Sequence, residues 1–526
     1  MLFLRNNNII MNRSASRALR LLTVALATAV VGICTGADAA REAARARPRR
    51  IIFNDDGGET RVPPAPIPAL DGFLPVRIAP LAGTQVDTIV FDTTSGTFNR
   101  FAHDTKVAEP FLVHEGRYQH NILAAHLAAG TDPLRVVVAH ARKTGQEIFW
   151  TMRMNDTHDA SNPLLLPQLK RDHPEYLFGT KAKPPLRGTW SAVDYGRPVI
   201  RDLARRTIAE VANNYDVDGI ELDFWRHPAF FRKTAHAQAV GEEERALMTA
   251  LLRDVRADLD AAGKRRGKPI LLAVKTPDSV GYCAEIGLDL ERWFGEGLAD
   301  FYIPGGYFQI SPWTASVALA RKHGLKIYAC LAENRLKDAD GHHERGSLES
   351  LRGRASAAWA AGVDGIELFN HFHPTAAYWR EVGDPVTLRP LPKTYFASVQ
   401  GVPNSRSYFP AQSHLGVPSL TPDAPEEIAA GTTRTYDLFI GDDLRTVATL
   451  QALLCVRVES SAAAKISVRW DDAPVNVAPH DACFLAAALD RARVTPGRHT
   501  VAITAVTALR LDDLILRLEL LPPVTP

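Results

Sequence analysis

Twelve residues beginning at Val217 read Val-Asp-Gly-Ile-Glu-Leu-Asp-Phe-Trp-Arg-His-Pro, and twelve beginning at Val363 read Val-Asp-Gly-Ile-Glu-Leu-Phe-Asn-His-Phe-His-Pro. In an extended segment alternate residues share a face. Glu221 and Asp223 therefore lie on one side of the first copy, with Ile220, Leu222 and Phe224 on the other. A buried carboxylate is costly unless paired or hydrogen-bonded. Carboxylates at the end of a short strand that follows a helix are how a parallel α/β barrel presents chemistry at its C-terminal mouth. The spacing of the copies, about half a barrel, predicts strands four and eight. The structural alternative is a buried ion-pair network that holds the top of the barrel together.

The same parity gathers further polar groups at the predicted mouth. Thr151, Arg153 and Asn155 share a face of the run 148–155, Lys275 follows Leu271 and Ala273, and Glu333 lies two residues past Leu331. Glu367 sits in the second copy, with Asn370, His371 and His373 just beyond it, and Asp92 closes the run 88–92. Cleavage of a glycosidic bond needs two carboxyl groups, one protonated and one ionised. Asp223 is expected as acid/base and Glu333 as nucleophile or second base, with Glu221 and Glu367 as alternatives for either role. Lys275 or Arg153 nearby would keep one carboxylate ionised. Trp225 and Tyr307 are candidates to stack on sugar faces, and Phe308 and Trp313 have the same chemistry. Arg226 and His227 offer donors for a charged or heavily hydroxylated sugar. The expected substrate-contacting set is thus Asp92, Arg153, Asn155, Trp225, Arg226, Lys275, Tyr307, Asn370 and His371. The loop 155–159 offers Asp156 and Asp159 to a cation such as calcium, although calcium asks for six or more oxygens. Neither a metal nor an organic cofactor is expected.

The elements that must position these groups alternate strand and helix, the grammar of βα units. Strands are predicted at 88–92, 147–155, 192–195, 219–224, 270–276, 300–304, 326–331 and 365–369. Helices are predicted over 134–143, 197–213 and 242–262, the second with Val199, Ile200, Leu203, Ile208 and Val211 on one face. Eight such units make a (β/α)8 TIM barrel. A doubly wound sheet is disfavoured because no Gly-rich phosphate loop follows any strand. After Pro392 helical periodicity fades and short alternating runs separated by turn residues predict a C-terminal antiparallel β-sandwich. The expected boundaries are a signal peptide over 1–40, a linker and irregular lead-in over 41–74, the catalytic barrel over 75–392 and the sandwich over 393–526.

Arg13, Arg17 and Arg20 precede an apolar run from Leu21 to Ile33, and Ala37-Asp38-Ala39 offers a cleavage site. That pattern predicts secretion or a periplasmic location. Ile33 before Cys34 is bulky where a lipoprotein needs a small residue, which disfavours an anchor. No later run reaches about 18 apolar residues, so no membrane span is expected in the mature protein. The chain of 526 residues has 61 Lys and Arg against 59 Asp and Glu, and no basic stripe with interleaved aromatics, so no nucleic acid is expected. Cys283, Cys330, Cys455 and Cys483 are too few for a disulfide scaffold; a Cys455–Cys483 bridge and buried free thiols both remain open.

The run Asp194-Tyr-Gly-Arg-Pro-Val-Ile-Arg201, a helix, then Tyr215-Asp-Val-Asp-Gly-Ile-Glu-Leu-Asp223 resembles the bacterial glycosyl-hydrolase-like TIM-barrel proteins, the family-10-like glycoside hydrolases. The resemblance covers about residues 75 to 385 and implies a barrel with Asp223 at the family's acidic strand end. This chain carries Phe224 where such relatives often carry a second Asp. A polysaccharide or oligosaccharide is the expected partner. The alternatives are a glycan-binding barrel without catalysis, and a metal-dependent hydrolase or deacetylase using His371 and His373.

Overall fold

A computed structural model describes residues 38–400 and 411–521. The expected signal peptide lies, but for its last three residues, outside the described residues; a helix, α1, runs over 38–46. Eight parallel strands close a barrel: β1 Ile51–Asp55, β2 Val86–Asp92, β3 Glu147–Arg153, β4 Gly219–Asp223, β5 Leu271–Thr276, β6 Phe301–Gly306, β7 Lys326–Ala332 and β8 Gly365–Phe369. β1 closes the ring by pairing with both β2 and β8, Ile52 opposite Thr88 and Glu367. The main outer helices are α2 Pro133–Thr144, α3 Pro198–Asn214, α4 Glu242–Arg266, α5 Trp313–Lys322 and α6 Leu348–Ala361.

Two strand assignments change. Ile51–Asp55, expected within an irregular lead-in, is the first barrel strand. Its apolar triplet Ile51-Ile52-Phe53 is short and hemmed in by basic and Pro-rich stretches, so local composition hides it; pairing on both edges makes it. Ala192–Tyr195, expected as the third strand, makes only an isolated bridge between Leu177 and Val193 within the β3–β4 connection. The two errors cancel, and the carboxylate-bearing copies do occupy β4 and β8.

The barrel floor is sealed by the chain entering it. Arg49, buried, pairs with Glu147 through two hydrogen bonds of 2.6 and 2.7 Å and lies 4.4 Å from the Phe301 ring centroid. Closure at the N-terminal face leaves the C-terminal mouth as the open end, as the fold requires.

The C-terminal sandwich has two antiparallel sheets. One orders β9 Lys393–Phe396, β15 Leu509–Leu520, β11 Leu450–Val458 and β13 Phe484–Leu489. The other orders β10 Thr433–Ile440, β14 Gly497–Ala505 and β12 Ile466–Trp470. Their inner faces meet around Leu438, Leu454, Trp470, Val501 and Leu516. The sandwich docks on the barrel through α6 and through Arg345, which is fully buried and holds Asp513 at 2.7 and 2.8 Å. The four described cysteines are free, Cys455 and Cys483 included. No single helix among the described residues is long and apolar enough to cross a membrane.

Candidate active site at the barrel mouth

In-register neighbours on adjacent strands build the site. Arg153 on β3 stands opposite Asp223 on β4, which stands opposite Lys275 on β5. Asp92 at the end of β2 holds Arg153 at 2.9 Å. Charges therefore alternate across four consecutive strand ends: Asp92, Arg153, Asp223, Lys275. One oxygen of Asp223 accepts the main-chain N–H groups of Trp225 and Arg226, each at 2.8 Å, which fixes the turn that carries Arg226 outward. Burial pushes the Asp92 carboxyl up while Arg153 and Arg61 pull it back, leaving it at about 6.

Arg153 also reaches Asp156 at 3.1 Å, and from there a hydrogen-bonded belt runs around the rim. Asp156 takes the Nδ1 of His158 at 2.5 Å, and the Nε2 of His158 lies 2.6 Å from Arg226. Because an arginine can only donate, that nitrogen is the acceptor and the Nδ1–H donates to Asp156. Arg226 donates to the Tyr307 hydroxyl at 3.0 Å, Asn370 donates to the same hydroxyl at 3.0 Å and to Glu333 at 3.1 Å, and Arg335 pairs with Glu333 at 3.0 Å. The belt links the ends of β2, β3, β4, β6, β7 and β8. His227 and Asn370 hold positive φ angles of 55° and 64° on it. Backbone strain of this kind in non-glycine residues gathers at functional sites.

Below the belt lies a closed polar layer. Glu221 accepts from Asn54 and Thr151, both at 2.9 Å, and Lys275 donates to Glu367 at 2.5 Å. All of these side chains are buried. Burial, and then repulsion from Glu367, drive the Glu221 carboxyl well above the usual range. Burial alone would pull Lys275 down; Cys330, Glu367, Glu221 and Asp223 outweigh it and hold the ammonium charged.

Above the belt an open cleft of about 510 Å³ is lined from seven strand ends, including Asp56, Glu59, Arg153, His158, Arg226, Tyr307, Arg335 and Asn370. A volume of that size suits a ligand of a few sugar units. At its β1 side Asp55, Asp56 and Glu59 surround Arg77 at 3.1, 2.6 and 3.2 Å. Burial and then the charge of Asp55 push Glu59 well above the usual carboxylate range. Asp56 goes the other way: burial would raise it, but Arg77, Arg61 and Arg153 hold it at about 2.

The structure thus brings together Asp92, Arg153, Asp223, Arg226, Tyr307, Glu333 and Asn370 at one rim, and sets Glu221, Lys275 and Glu367 one layer deeper. It does not bring the rest. Trp225, expected to stack on sugar, is buried beneath Tyr307 with centroids 4.3 Å apart, against Gly306, where an added Cβ would lie 1.9 Å from the indole. Asn155 spends its side chain inside the fold, accepting from the Val193 N–H and donating to the Val193 and Ala229 carbonyls. His371 turns to Tyr378, 5.4 Å between centroids, and burial pushes it down to about 3. Asp159, considered for calcium, is consumed by Lys170 at 2.8 Å, Thr97 at 2.9 Å and Ser191 at 2.8 Å.

Missed from sequence were His158 and the Asp55–Asp56–Glu59–Arg77 group. The second had a signal: Ile51-Ile-Phe-Asn-Asp-Asp56 is an apolar strand ending in acids, the grammar of β4. Among the described residues, Asp156, His158 and His227 form one set able to hold a metal, and Asp55, Asp56 and Glu59 another. Neither includes His371 or His373, the pair named in the alternative reading of a metal-dependent hydrolase. Each is already served by guanidinium, from Arg153 and Arg226 in the first set and Arg77 in the second.

No family model matches the chain, and no curated protein matches it. Among solved structures it is similar to a Paenibacillus sp. cycloisomaltooligosaccharide glucanotransferase complexed with cycloisomaltoheptaose, at 11% identity over 90% of this chain and 57% of that one, with a TM-score of 0.34. It is similar to alpha-L-fucosidase isoenzyme 2 from Paenibacillus thiaminolyticus at 14% identity, over 65% and 48% of the two chains, with a TM-score of 0.39. It is also similar to the PgaB (BpsB) glycoside hydrolase domain from Bordetella bronchiseptica at 12% identity, over 64% and 99%, with a TM-score of 0.43. The chain spans about half the length of the first two. Glycoside hydrolases recur among these neighbours, at identities and TM-scores too low for the likeness to carry chemistry.

Proposed function

We propose that the protein hydrolyses glycosidic bonds of a polysaccharide or oligosaccharide at the barrel mouth, by carboxyl acid/base catalysis. The observation that carries this reading is the belt. Six strand ends bring carboxylates, arginines, a tyrosine and an amide together in one rim beneath the open cleft, in a hydrogen-bonded order that fixes each side chain before substrate arrives. Preorganisation of that kind is what positions catalytic groups. Asp223 is the carboxylate at the fourth strand end, flanked in register by two cations, and Glu333 is the solvent-facing carboxylate beyond the seventh. Asp92 joins them as a proton donor, since a carboxyl near 6 is still partly protonated near neutral pH. The resemblance of Tyr215–Asp223 to family-10-like glycoside hydrolases supports the same reading, and the basic-then-apolar leader supports a secreted or periplasmic setting.

A second reading has one observation in its favour. The Asp223 oxygen that accepts two main-chain N–H groups serves the turn, so a glycan-binding barrel without hydrolysis would also retain Asp223. Released reducing sugar separates the two. Wild-type protein incubated with plant, algal and bacterial polysaccharides should release sugar from at least one. Asp223→Asn, Asp92→Asn and Glu333→Gln should each lose that release while keeping the fold. Silence of the wild type across the panel, with glycan binding retained, would overturn hydrolysis in favour of binding.

A further inference from the structure

The cleft is lined by six arginines, Arg61, Arg77, Arg117, Arg153, Arg226 and Arg335, and by only two carboxylates, Asp56 and Glu59. Three of the arginines are neutralised. Arg77 sits among Asp55, Asp56 and Glu59, Arg153 between Asp92 and Asp156, and Arg335 on Glu333. The other three form no salt bridge among the described residues, although Arg61 lies near enough to Asp56 and Asp92 to pull down on both carboxyls. Arg61 donates to the main-chain carbonyls of Thr94 and Asp56. Arg226 donates to the neutral Tyr307 hydroxyl and to a ring nitrogen of His158, and its Nε is buried without a hydrogen-bond partner. Arg117 is exposed, 5.7 Å from the Tyr118 ring centroid. These three come from different parts of the mouth: the segment after β1, the β2–β3 connection, and the turn after β4. The whole chain is nearly neutral, with a formal net charge of +2, so the excess belongs to the cleft and not to the protein at large.

An arginine fork suits planar or tetrahedral oxyanions, which it can grip through two parallel hydrogen bonds. Arg226 is also held rigid, with Tyr307 between it and Arg335 at 5.2 and 3.9 Å from the ring centroid. A preset cation loses little freedom on binding. Resting on the glycan reading above, we propose that the cleft takes an acidic glycan, one whose sugars carry carboxylate or sulfate groups, with Arg61, Arg117 and Arg226 as its anion-binding side chains.

The test is equilibrium binding of the full chain to matched probes: polygalacturonate against its methyl ester, dextran sulfate against dextran, and a short single-stranded oligonucleotide as a non-sugar polyanion. At least one acidic glycan should bind about tenfold or more tighter than its neutral match, with the preference shrinking between about 50 and about 300 mM salt. The two pairs separate carboxylate from sulfate. Arg61→Met and Arg226→Met should each remove most of the preference, the acidic glycan losing more affinity than its neutral match. Arg226→Lys should recover part of it. Arg206→Met, on the outer face of α3 and paired only with Asp202, should behave as wild type. Equal affinity for acidic and neutral glycans would overturn the acidic assignment and leave the glycan reading standing. A preference untouched by either Met variant in a protein with unchanged melting temperature would also overturn it. The oligonucleotide binding more tightly than any glycan, or no glycan binding at all, would overturn the glycan reading with it.

Discussion

Just before β4, Asp218 accepts the Ile148 N–H at 2.9 Å and pairs with Arg142 and Lys268; just before β8, Asp364 accepts the Ile327 N–H at 3.0 Å and pairs with Arg321 and Lys326. The next residue of each copy is a glycine for one reason, close approach. An added Cβ would lie 2.4 Å from the Phe149 ring at Gly219 and 2.1 Å from the Arg49 carbonyl at Gly365. Two residues on, Glu221 and Glu367 both turn inward and share the buried layer with Lys275. Up to this point the copies are equivalent and structural. They part at the seventh position. Asp223 holds the turn into the cleft, whereas Phe369 packs over Lys275, 4.1 Å from its ammonium, and against Trp225. The repeat therefore marks two strand ends built alike, and the proposed chemistry lies where they differ.

Breaking the shared layer should cost the most. Lys275→Met leaves a buried carboxylate without its cation and should destabilise the fold by about 3–5 kcal/mol in urea denaturation. Lys275→Met combined with Glu367→Leu should recover much of that, since removing both members of a buried pair is often near neutral. Failure of the double variant to recover would mean that the layer is held by more than this pair.

Next come the two floor aspartates. Asp218→Asn and Asp364→Asn should each cost about 1–3 kcal/mol, because each loses charge-assisted hydrogen bonds while the main-chain acceptor role survives. Similar losses would support equivalence of the copies; a large difference would break it.

Smaller still is a pH effect from Asp92. Its carboxyl is raised by burial, so between about pH 4 and 6 the folded state holds a proton that the unfolded chain has released. Stability should then fall as pH rises through that window, and Asp92→Asn should flatten the slope. If Asp92 is the proton donor, kcat/KM also declines as pH climbs past about 6. A wild-type profile still rising at pH 8 would assign the donor elsewhere.

Much of the frame was legible from sequence. Parity alone placed Glu221 and Asp223 on the inner face of β4, because strand periodicity is local and the apolar partners Ile220 and Leu222 are unambiguous. The rim was legible residue by residue but not as a belt. His158 meets Arg226 across 68 positions and Asn370 meets Tyr307 across 63, contacts set by loop paths that no local pattern encodes. Trp225 shows the opposite failure: it follows a catalytic-looking aspartate, yet the glycine on β6 that makes room for its indole lies far away in the chain. The β1 acids were hidden because a five-residue strand flanked by Arg and Pro has too little apolar length to stand out from a linker.

That chemistry begins where the copies diverge is tested by comparing Asp223→Asn with Glu221→Gln in turnover of whichever glycan the wild type cleaves, each rate normalised to folded protein. Asp223→Asn should lose about a hundredfold or more of kcat with its melting temperature within about 4 °C of wild type, while Glu221→Gln should lose stability before it loses turnover. Wild-type turnover in folded Asp223→Asn would contradict it.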